Sequence, residues 1–154
     1  MKNVLVTGAT KGIGREIAIL LSENYNVFVV GRNKEALKEL VETTKIKDYF
    51  AIDLSCENAC YEVVKKFIDI DILVNNAGEY IYKNIDEYST EDVEKLFKIN
   101  AQVPFILSSL YSKNMKAKKW GRIVNIGSIS GVMGEAYASL YSATSTTGAS
   151  KVLP

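Results

Sequence analysis

Short apolar runs alternate along this chain with longer stretches in which apolar residues recur at helical spacing. The runs have the length of strands and lie at residues 3–7, 26–30, 49–52, 71–75 and 122–127. The stretches between them predict helices near residues 12–24, 33–44, 56–67 and 90–118. Such alternation is typical of a parallel sheet covered by helices on both faces. The pattern therefore predicts one α/β domain, a three-layer αβα structure with a doubly wound parallel sheet of about five strands.

A glycine-rich turn, TGATKGIG, joins the first strand to the first helix. In that helix Ile13, Ile17, Leu20 and Leu21 fall on one face, which we expect to pack on the sheet. Glycine lets the backbone turn tightly and approach a pyrophosphate, and the new helix offers unpaired N–H groups and the positive end of its dipole. No Gly-Lys-Ser/Thr follows, so a nucleoside-triphosphate loop fits less well, while an ordinary strand-to-helix turn stays open. The segment predicts a dinucleotide site at Gly8, Thr10, Lys11, Gly12, Ile13 and Gly14.

The residues after the second strand bear on the choice between NAD and NADP. Ligands of such sheets bind beyond the carboxyl ends of the strands, and Gly31, Arg32 and Asn33 occupy that position here. None of the three is acidic, as a residue that accepts from the ribose hydroxyls of NAD would be. Arg32 can instead form two charge-assisted bonds to a 2′-phosphate, and Lys11 supplies a second cation. The sequence favours NADP(H), with NAD(H) as the alternative; solvated surface charges would explain both cations without a ligand.

Two further strand ends complete the predicted cofactor site. Asp53 follows the third strand and is followed by Leu54 and a serine. Its carboxylate either accepts a hydrogen bond from the adenine amino group or marks the N-terminus of the next helix, and both alternatives stay open. After the fourth strand, Asn76, Ala77 and Gly78 combine an amide with small residues. We expect the backbone to pass close to a ligand there.

Composition and charge exclude several other classes of protein. The chain has 154 residues, enough for one sizeable core but not two. It carries 19 basic and 18 acidic residues, so it lacks the excess positive charge that drives nucleic-acid binding. No apolar run reaches membrane-spanning length, and the first strand begins so near Met1 that no signal peptide precedes it, so we expect a cytoplasmic protein. The lysines near the end of the long helix are interpreted as cations at a helix C-terminus: Lys113, Lys116, Lys118 and Lys119.

The chain has no histidine and only two cysteines, Cys56 and Cys60. A zinc site would lack its usual ligands, so we predict no metal and interpret both thiols as reduced packing residues. Histidine is also the commonest general base. Acid–base chemistry would therefore fall to tyrosine, lysine, aspartate or glutamate.

Several motifs occur together in the order and at the spacing of one known family. TGATKGIG, NNAG at residues 75–78, Asn100, and Ser128 followed thirteen residues later by Tyr141 resemble the short-chain dehydrogenases/reductases over about residues 1–144. The resemblance implies a Rossmann-type fold and NAD(P)-dependent hydride transfer to or from a small-molecule carbonyl or alcohol. It implies catalytic roles for Asn100, Ser128 and Tyr141, and it implies a homo-oligomer.

The chemistry of each residue suggests its role in this family. Tyr141 would donate a proton to the nascent alkoxide, or remove one from the alcohol, while the Ser128 hydroxyl polarises the carbonyl. Pro104 follows Asn100 by four residues and has no N–H, so in a helix the Asn100 carbonyl loses its usual partner and can bind another group. In the family that group is a water of a proton relay, and a packing kink is the alternative.

The chain departs from the family pattern after Tyr141. The family has a lysine four residues further on, where this chain has Ser145. A nearby cation lowers the pKa of a tyrosine, ordinarily about 10, by about 1 to 3 units, so without it we expect Tyr141 to stay a neutral phenol. Lys151 lies too far along the chain to replace it. Because apolar periodicity ends at Thr144, residues 145–154 are predicted to be a non-matching tail, and the chain to be truncated before the family's C-terminal strands and substrate segment.

Three hypotheses follow for the function. The first is an active NADP(H)-dependent oxidoreductase. The second is a truncated or frameshifted product of such an enzyme, which binds nucleotide with little or no turnover. The third is a nucleotide-sensing or interaction module that pairs its fifth strand, residues 122–127, with a strand of a partner.

Overall fold

The computed structural model describes residues 1–145, and the predicted tail beyond Ser145, including Lys151, lies outside the described residues. Its strands form one parallel sheet in the order β3-β2-β1-β4-β5. The strands are β1 (Asn3–Thr7), β2 (Asn26–Gly31), β3 (Asp48–Ala51), β4 (Ile72–Asn75) and β5 (Arg122–Asn125). The strand order reverses between β1 and β4, which is where doubly wound sheets form their ligand crevice.

Helices cover both faces of the sheet. They are α1 (Gly12–Ser22), α2 (Lys34–Thr43), α3 (Ala59–Lys66), α4 (Thr90–Phe97), α5 (Val103–Ala117) and α6 (Ser139–Ser145). Successive residues of a strand point to opposite faces, so Val4 and Val6 join one apolar cluster with residues of α1 and α2. Leu5 joins the other cluster with residues of α3 and α5. This arrangement confirms the predicted three-layer αβα fold.

The buried face of α1 differs from the predicted one. Ile13 and Leu20 are exposed, and the buried positions of the helix are Gly14, Ala18 and Ser22. These small residues are spaced four apart and allow the helix to approach the sheet and the glycine turn closely. The prediction for Ile13 and Leu20 was therefore wrong, because it ranked side chains by hydropathy and not by the space available.

The segment between β3 and α3 is a turn and not the start of a helix. The Asp53 carboxylate accepts hydrogen bonds from the Ser55 N–H, at 2.9 Å, and from the Ser55 hydroxyl, at 2.7 Å. Asn58 has a positive φ of 61°, and α3 begins only at the residue after it. The interpretation of Asp53 as a helix N-terminus is therefore wrong. Cys56 lies exposed in this turn, and only Cys60 is a packing residue.

The segment predicted as a helix at 90–118 is helical throughout, but one π turn interrupts its regular α-helical hydrogen bonding. The π turn, Lys98–Gln102, joins α4 to α5, and the Val103 N–H bonds the carbonyl of Lys98, five residues back. Pro104 follows directly and has no N–H to give to Asn100, which explains why regular α-helical bonding fails here. At the end of the described chain, β5 is two residues shorter than predicted and α6 was not predicted.

At the edge of the sheet where the strands begin, Lys118 connects the end of α5 to the residues that precede β4. The Lys118 ammonium contacts the carboxylates of Asp69 and, at 3.0 Å, of the buried Asp71.

Within residues 1–145 no helix is long and apolar enough to span a membrane. The same residues hold no group of three or more cysteine, aspartate or glutamate side chains that could bind a metal.

Candidate active site

Hydrogen bonds join the turn after β1 to the turn after β4. The buried Thr7 hydroxyl accepts from the backbone N–H groups of Asn76 and Ala77, both at 3.0 Å. The Asn76 amide nitrogen donates in return to the carbonyls of Thr7, at 3.0 Å, and Gly8, at 3.1 Å. These bonds fix the spacing of the two turns that form the crevice.

Gly14 and Gly12 of the first turn have different surroundings. A Cβ on Gly14 would lie 2.5 Å from the Gly8 carbonyl oxygen and closer still to the Asn76 side-chain nitrogen, so the fold itself requires glycine there. Gly12 has a φ of +58°, yet a Cβ there would meet nothing within 4 Å. Because its surroundings are open, the backbone at Gly12 is accessible to a ligand.

A cavity follows this crevice from the glycine turn to the ends of β2 and β3. Of the predicted cofactor residues it is lined by Gly8, Thr10, Lys11, Gly12, Ile13, Gly14, Arg32, Asp53, Leu54, Asn76, Ala77 and Gly78. Asn33 is the exception among them, because its side chain accepts from the Ala36 N–H at 3.0 Å and caps α2. Sequence reasoning missed Glu79 and Tyr80, which also line the cavity. Their position directly after NNAG was the signal that could have found them.

Charged side chains of both signs stand on the wall of this cavity. Glu79 lies 3.0 Å from the Lys95 ammonium and 3.9 Å from the Arg32 guanidinium. Burial disfavours the charged form of Asp53, but the hydrogen bonds from Ser55 and the positive charges of Arg32 and Lys95 outweigh it, so the pKa of Asp53 lies below its ordinary value. The Asp53 carboxylate is therefore ionised at neutral pH, so it can accept hydrogen bonds but has no proton to donate.

A second cavity adjoins the first and contains two of the predicted catalytic residues, Asn100 and Tyr141. The Asn100 side chain accepts from the Glu79 N–H at 2.9 Å and donates to the Glu79 carbonyl at 2.8 Å. It also donates to the buried Thr144 hydroxyl at 3.0 Å, which in turn donates to the Tyr141 carbonyl at 3.0 Å. Asn100 thus connects the loop after β4 to α6, which carries Tyr141. The Tyr141 ring contacts the Tyr80 ring edge-on, with 6.2 Å between centroids.

The third predicted catalytic residue, Ser128, belongs to a separate hydrogen-bond chain. Its hydroxyl donates to the Ser130 hydroxyl at 3.2 Å, and Ser130 donates to Glu135 at 2.7 Å. Tyr82 donates to the same carboxylate at 3.2 Å, and this bond raises the pKa of Tyr82. Ser128 is not among the residues that line the Tyr141 cavity. The structure therefore brings Asn100 and Tyr141 together but directs the Ser128 hydroxyl elsewhere.

Position 145, where the sequence departs from the expected lysine, faces the Tyr141 cavity. Ser145 lines it, and the Ser145 hydroxyl donates to the Tyr141 carbonyl one helical turn back at 2.7 Å. A longer side chain at this position would start from the wall of the cavity. The departure from the family pattern is thus located at the site itself.

Comparison with known proteins identifies the family. Residues 2–150 match the family model described as short chain dehydrogenase. The chain belongs to the short-chain dehydrogenases.

Curated relatives and solved structures of short-chain dehydrogenases align with nearly all of this chain. An uncharacterized oxidoreductase of Thermotoga maritima is 37% identical over 92% of this chain and 59% of its own length. The 3-oxoacyl-(acyl-carrier-protein) reductase FabG of Rickettsia prowazekii is 37% identical over 86% and 56%. A 3-oxoacyl-(acyl-carrier-protein) reductase from Agrobacterium tumefaciens C58, solved with NADP bound, has a TM-score of 0.85 at 26% identity, over 94% of this chain and 59% of that one. This short-chain dehydrogenase chain therefore spans less than 60% of each of these proteins.

Proposed function

We propose that this short-chain dehydrogenase is an NADP(H)-dependent oxidoreductase that transfers a hydride between NADP(H) and a carbonyl or alcohol carbon of a small molecule. The strongest support is the continuity of its two cavities. Six residues line both of them, namely Ile13, Asn76, Ala77, Gly78, Glu79 and Tyr80. A dinucleotide with its adenosine beside Arg32 would extend past these residues and reach the cavity of Tyr141.

The residues of the first cavity fit a dinucleotide. Gly12 offers open backbone at the start of α1, where helix N–H groups and the helix dipole favour a pyrophosphate. Lys11 and Arg32 line the same cavity and supply two cations, which favours a 2′-phosphate and hence NADP(H) over NAD(H). The bound cofactor would supply or accept the hydride; the chain itself supplies binding, orientation and proton transfer.

The residues of the second cavity suit proton transfer at the reacting oxygen. The Tyr141 phenol would donate a proton to an alkoxide, or accept one from an alcohol, at the cavity wall. Asn100 holds both the loop that carries Gly78 and the helix that carries Tyr141, so it fixes the distance between cofactor and phenol. Ser128 would have to turn away from Ser130 to donate to the substrate oxygen.

One observation favours a second candidate, NADP(H) binding without turnover. Ser145 stands where the family has a lysine, and its hydroxyl is bonded to the backbone of Tyr141. No ammonium is therefore supplied from position 145 to favour the phenolate or to hold the nicotinamide ribose. Under this alternative the nucleotide site remains functional, while the acid–base step is slow.

Binding and turnover, measured on the same preparation, distinguish these alternatives. NADPH and NADH are titrated by the change in their fluorescence, and NADPH oxidation is followed with a panel of aldehydes and ketones. NADPH binding with oxidation supports the oxidoreductase, binding without oxidation supports the second candidate, and absence of binding contradicts both. Arg32→Gln should weaken NADPH binding about tenfold and NADH binding less than about twofold, because only NADPH carries the 2′-phosphate. Arg122→Gln, on the strand-start edge of β5, is the matched control.

A further inference from the structure

Glu79 is the acidic residue closest to the cation predicted to bind the 2′-phosphate. It directly follows the NNAG motif and lines both cavities. One of its carboxylate oxygens lies 3.9 Å from the Arg32 guanidinium and 3.0 Å from the Lys95 ammonium. Arg32 follows β2 and Glu79 follows β4, so this ion pair crosses the crevice at the cofactor site.

The backbone of Glu79 is held in place independently of its charge. Asn100 accepts from the Glu79 N–H at 2.9 Å and donates to the Glu79 carbonyl at 2.8 Å. The Glu79 side chain is only 26% exposed, whereas that of Arg32 is 64% exposed. The Glu79 backbone is thus fixed beside the cavity, and Arg32 is the more exposed of the two charged partners.

We infer that Glu79 is a specificity-determining residue whose carboxylate competes with the 2′-phosphate of NADP(H) for Arg32 and so limits the preference for NADP(H). The inference rests on the proposed binding of NADP(H) in this crevice. At 3.9 Å the Arg32–Glu79 pair is longer than a hydrogen bond, whereas a phosphate can form two short charge-assisted bonds to a guanidinium. The phosphate therefore wins the competition, but it binds next to a negative charge that weakens its attraction to Arg32.

Lys95 decides how strongly Glu79 opposes the phosphate. It is the closer of the two cations to Glu79, and it lies on α4, away from the glycine turn. When Arg32 turns toward a phosphate, Lys95 still compensates the carboxylate. Without the charge of Lys95, Glu79 would keep its ion pair with Arg32 and compete more strongly with the phosphate. Substitutions that remove the charge of Glu79 and of Lys95 should therefore change the affinity for NADP(H) in opposite directions.

Binding measurements on the full chain test this without any need for turnover. Glu79→Gln should tighten binding of NADP⁺ and of adenosine 2′,5′-bisphosphate about fivefold and change NAD⁺ and 5′-AMP binding less than about twofold. Lys95→Gln should weaken NADP⁺ binding about twofold to threefold. Glu23→Gln is the matched control, because Glu23 is likewise paired with a lysine, Lys45, but follows α1 at the opposite edge of the sheet.

A double variant separates direct competition from an altered loop. In the Arg32→Gln background, Glu79→Gln should lose most of its effect on NADP⁺, because the cation for which it competes is gone. The effect should also shrink as salt is raised. Equal tightening of NADP⁺ and NAD⁺ by Glu79→Gln, or no change in either, would overturn the inference while leaving NADP(H) binding intact. If wild-type chain binds neither NADP⁺ nor adenosine 2′,5′-bisphosphate, the proposed function fails as well.

Discussion

The Asn76 side-chain amide occupies the space that a Cβ on Gly14 would need. The same amide donates to the carbonyls of Thr7 and Gly8, so the turn after β4 is pressed against the start of α1. An asparagine about sixty residues away in the sequence therefore stabilises the glycine turn through its side-chain contacts. Part of the glycine motif thus exists for packing between two turns, and only part of it for the ligand.

Gly14→Ala tests this relationship. Alanine in a helix is favoured over glycine by about 1 kcal/mol, but the clash with Asn76 and with the Gly8 carbonyl should outweigh that gain. We expect a net destabilisation of about 1 to 3 kcal/mol in urea unfolding. Gly134→Ala, where a Cβ meets nothing within 4 Å, should change the free energy of unfolding by less than about 0.5 kcal/mol. Equal stability of the two variants would contradict the packing role.

Thr7→Val should be more damaging than its conservative shape suggests. The Thr7 hydroxyl accepts from the N–H groups of Asn76 and Ala77, and valine would leave both donors without that partner. We expect a loss of about 2 to 4 kcal/mol in unfolding free energy, together with weaker NADPH binding. Thr7→Ser keeps the hydroxyl and should lose much less. A Thr7→Val chain as stable as Thr7→Ser would show that these hydrogen bonds contribute little.

Asn100→Ala should loosen two segments that are far apart in the sequence. The amide holds the Glu79 backbone on one side and Thr144 of α6 on the other. Hydrogen–deuterium exchange should become faster both around Glu79 and in residues 139–145, with a stability loss of about 1 to 3 kcal/mol. Asn114→Ala is the control on the same helical segment, because Asn114 is exposed and its side chain donates to the Ile68 carbonyl, far from Glu79 and α6. Faster exchange in only one segment would refute the bridging role.

Acid should destabilise the protein partly through Asp71. Burial disfavours its charged form, but hydrogen bonds from the Asn3 N–H and the Lys118 ammonium outweigh burial, so the pKa of Asp71 is lowered. A carboxyl group whose pKa is lower in the folded state stabilises the fold above about pH 4, and this contribution is lost as pH falls through the lowered pKa. In urea unfolding between pH 7 and pH 3, the free energy of unfolding should therefore fall less steeply with decreasing pH for Asp71→Asn than for wild type.

The exposed partner of the same lysine provides the control for that pH series. Asp69→Asn removes the other carboxylate that Lys118 contacts, on a side chain that is 60% exposed. This variant keeps Asp71 and its hydrogen bonds from Asn3 and Lys118, so it controls for the loss of one carboxylate beside Lys118. If Asp71→Asn and wild type run parallel down to pH 3, Asp71 is not the group that titrates.

Ser145→Lys alone should not raise NADPH oxidation above the wild-type level. The new ammonium would start beside Tyr141, but the Ser128 hydroxyl would still have to give up its hydrogen bond to Ser130 before it could polarise a carbonyl. The assay is NADPH oxidation across a panel of aldehydes and ketones. A clear rate increase that disappears when Tyr141→Phe is added would contradict this prediction and identify the lysine as the main missing group.

Sequence patterns were sufficient for the sheet, and most of the predicted cofactor residues line one cavity of the structure. Strand length, alternation with helices and the glycine turn depend on local chemistry, and the structure places Gly12, Arg32 and Asp53 along one cavity as this chemistry suggests. The prediction was less successful where two distant segments compete for space. Ile13 and Leu20 have the periodicity of a buried face, but the crevice leaves room only for Gly14 and Ala18.

The residues of the second cavity show the same limit. Asn100 and Tyr141 were found from their spacing, yet nothing in the sequence showed that the Ser128 hydroxyl would be bonded to Ser130 and not directed into their cavity. Glu79 was missed because its importance depends on Arg32, which follows a different strand and meets it only across the folded crevice. Side-chain direction and pairing across the sheet are tertiary properties that one-dimensional spacing does not contain.

The π turn at Lys98–Gln102 sets the rotational phase between α4 and α5. A π turn is equivalent to one extra residue in a helix, which rotates everything before it by about 100° relative to everything after it. With this offset, Lys95 reaches Glu79 while Val103 and Leu107 still face the sheet. Removing one residue from the turn would rotate α4, moving the buried Leu96 out of its place and turning Lys95 away from the crevice. A single backbone irregularity thus couples the charge on α4 to the candidate cofactor cavity.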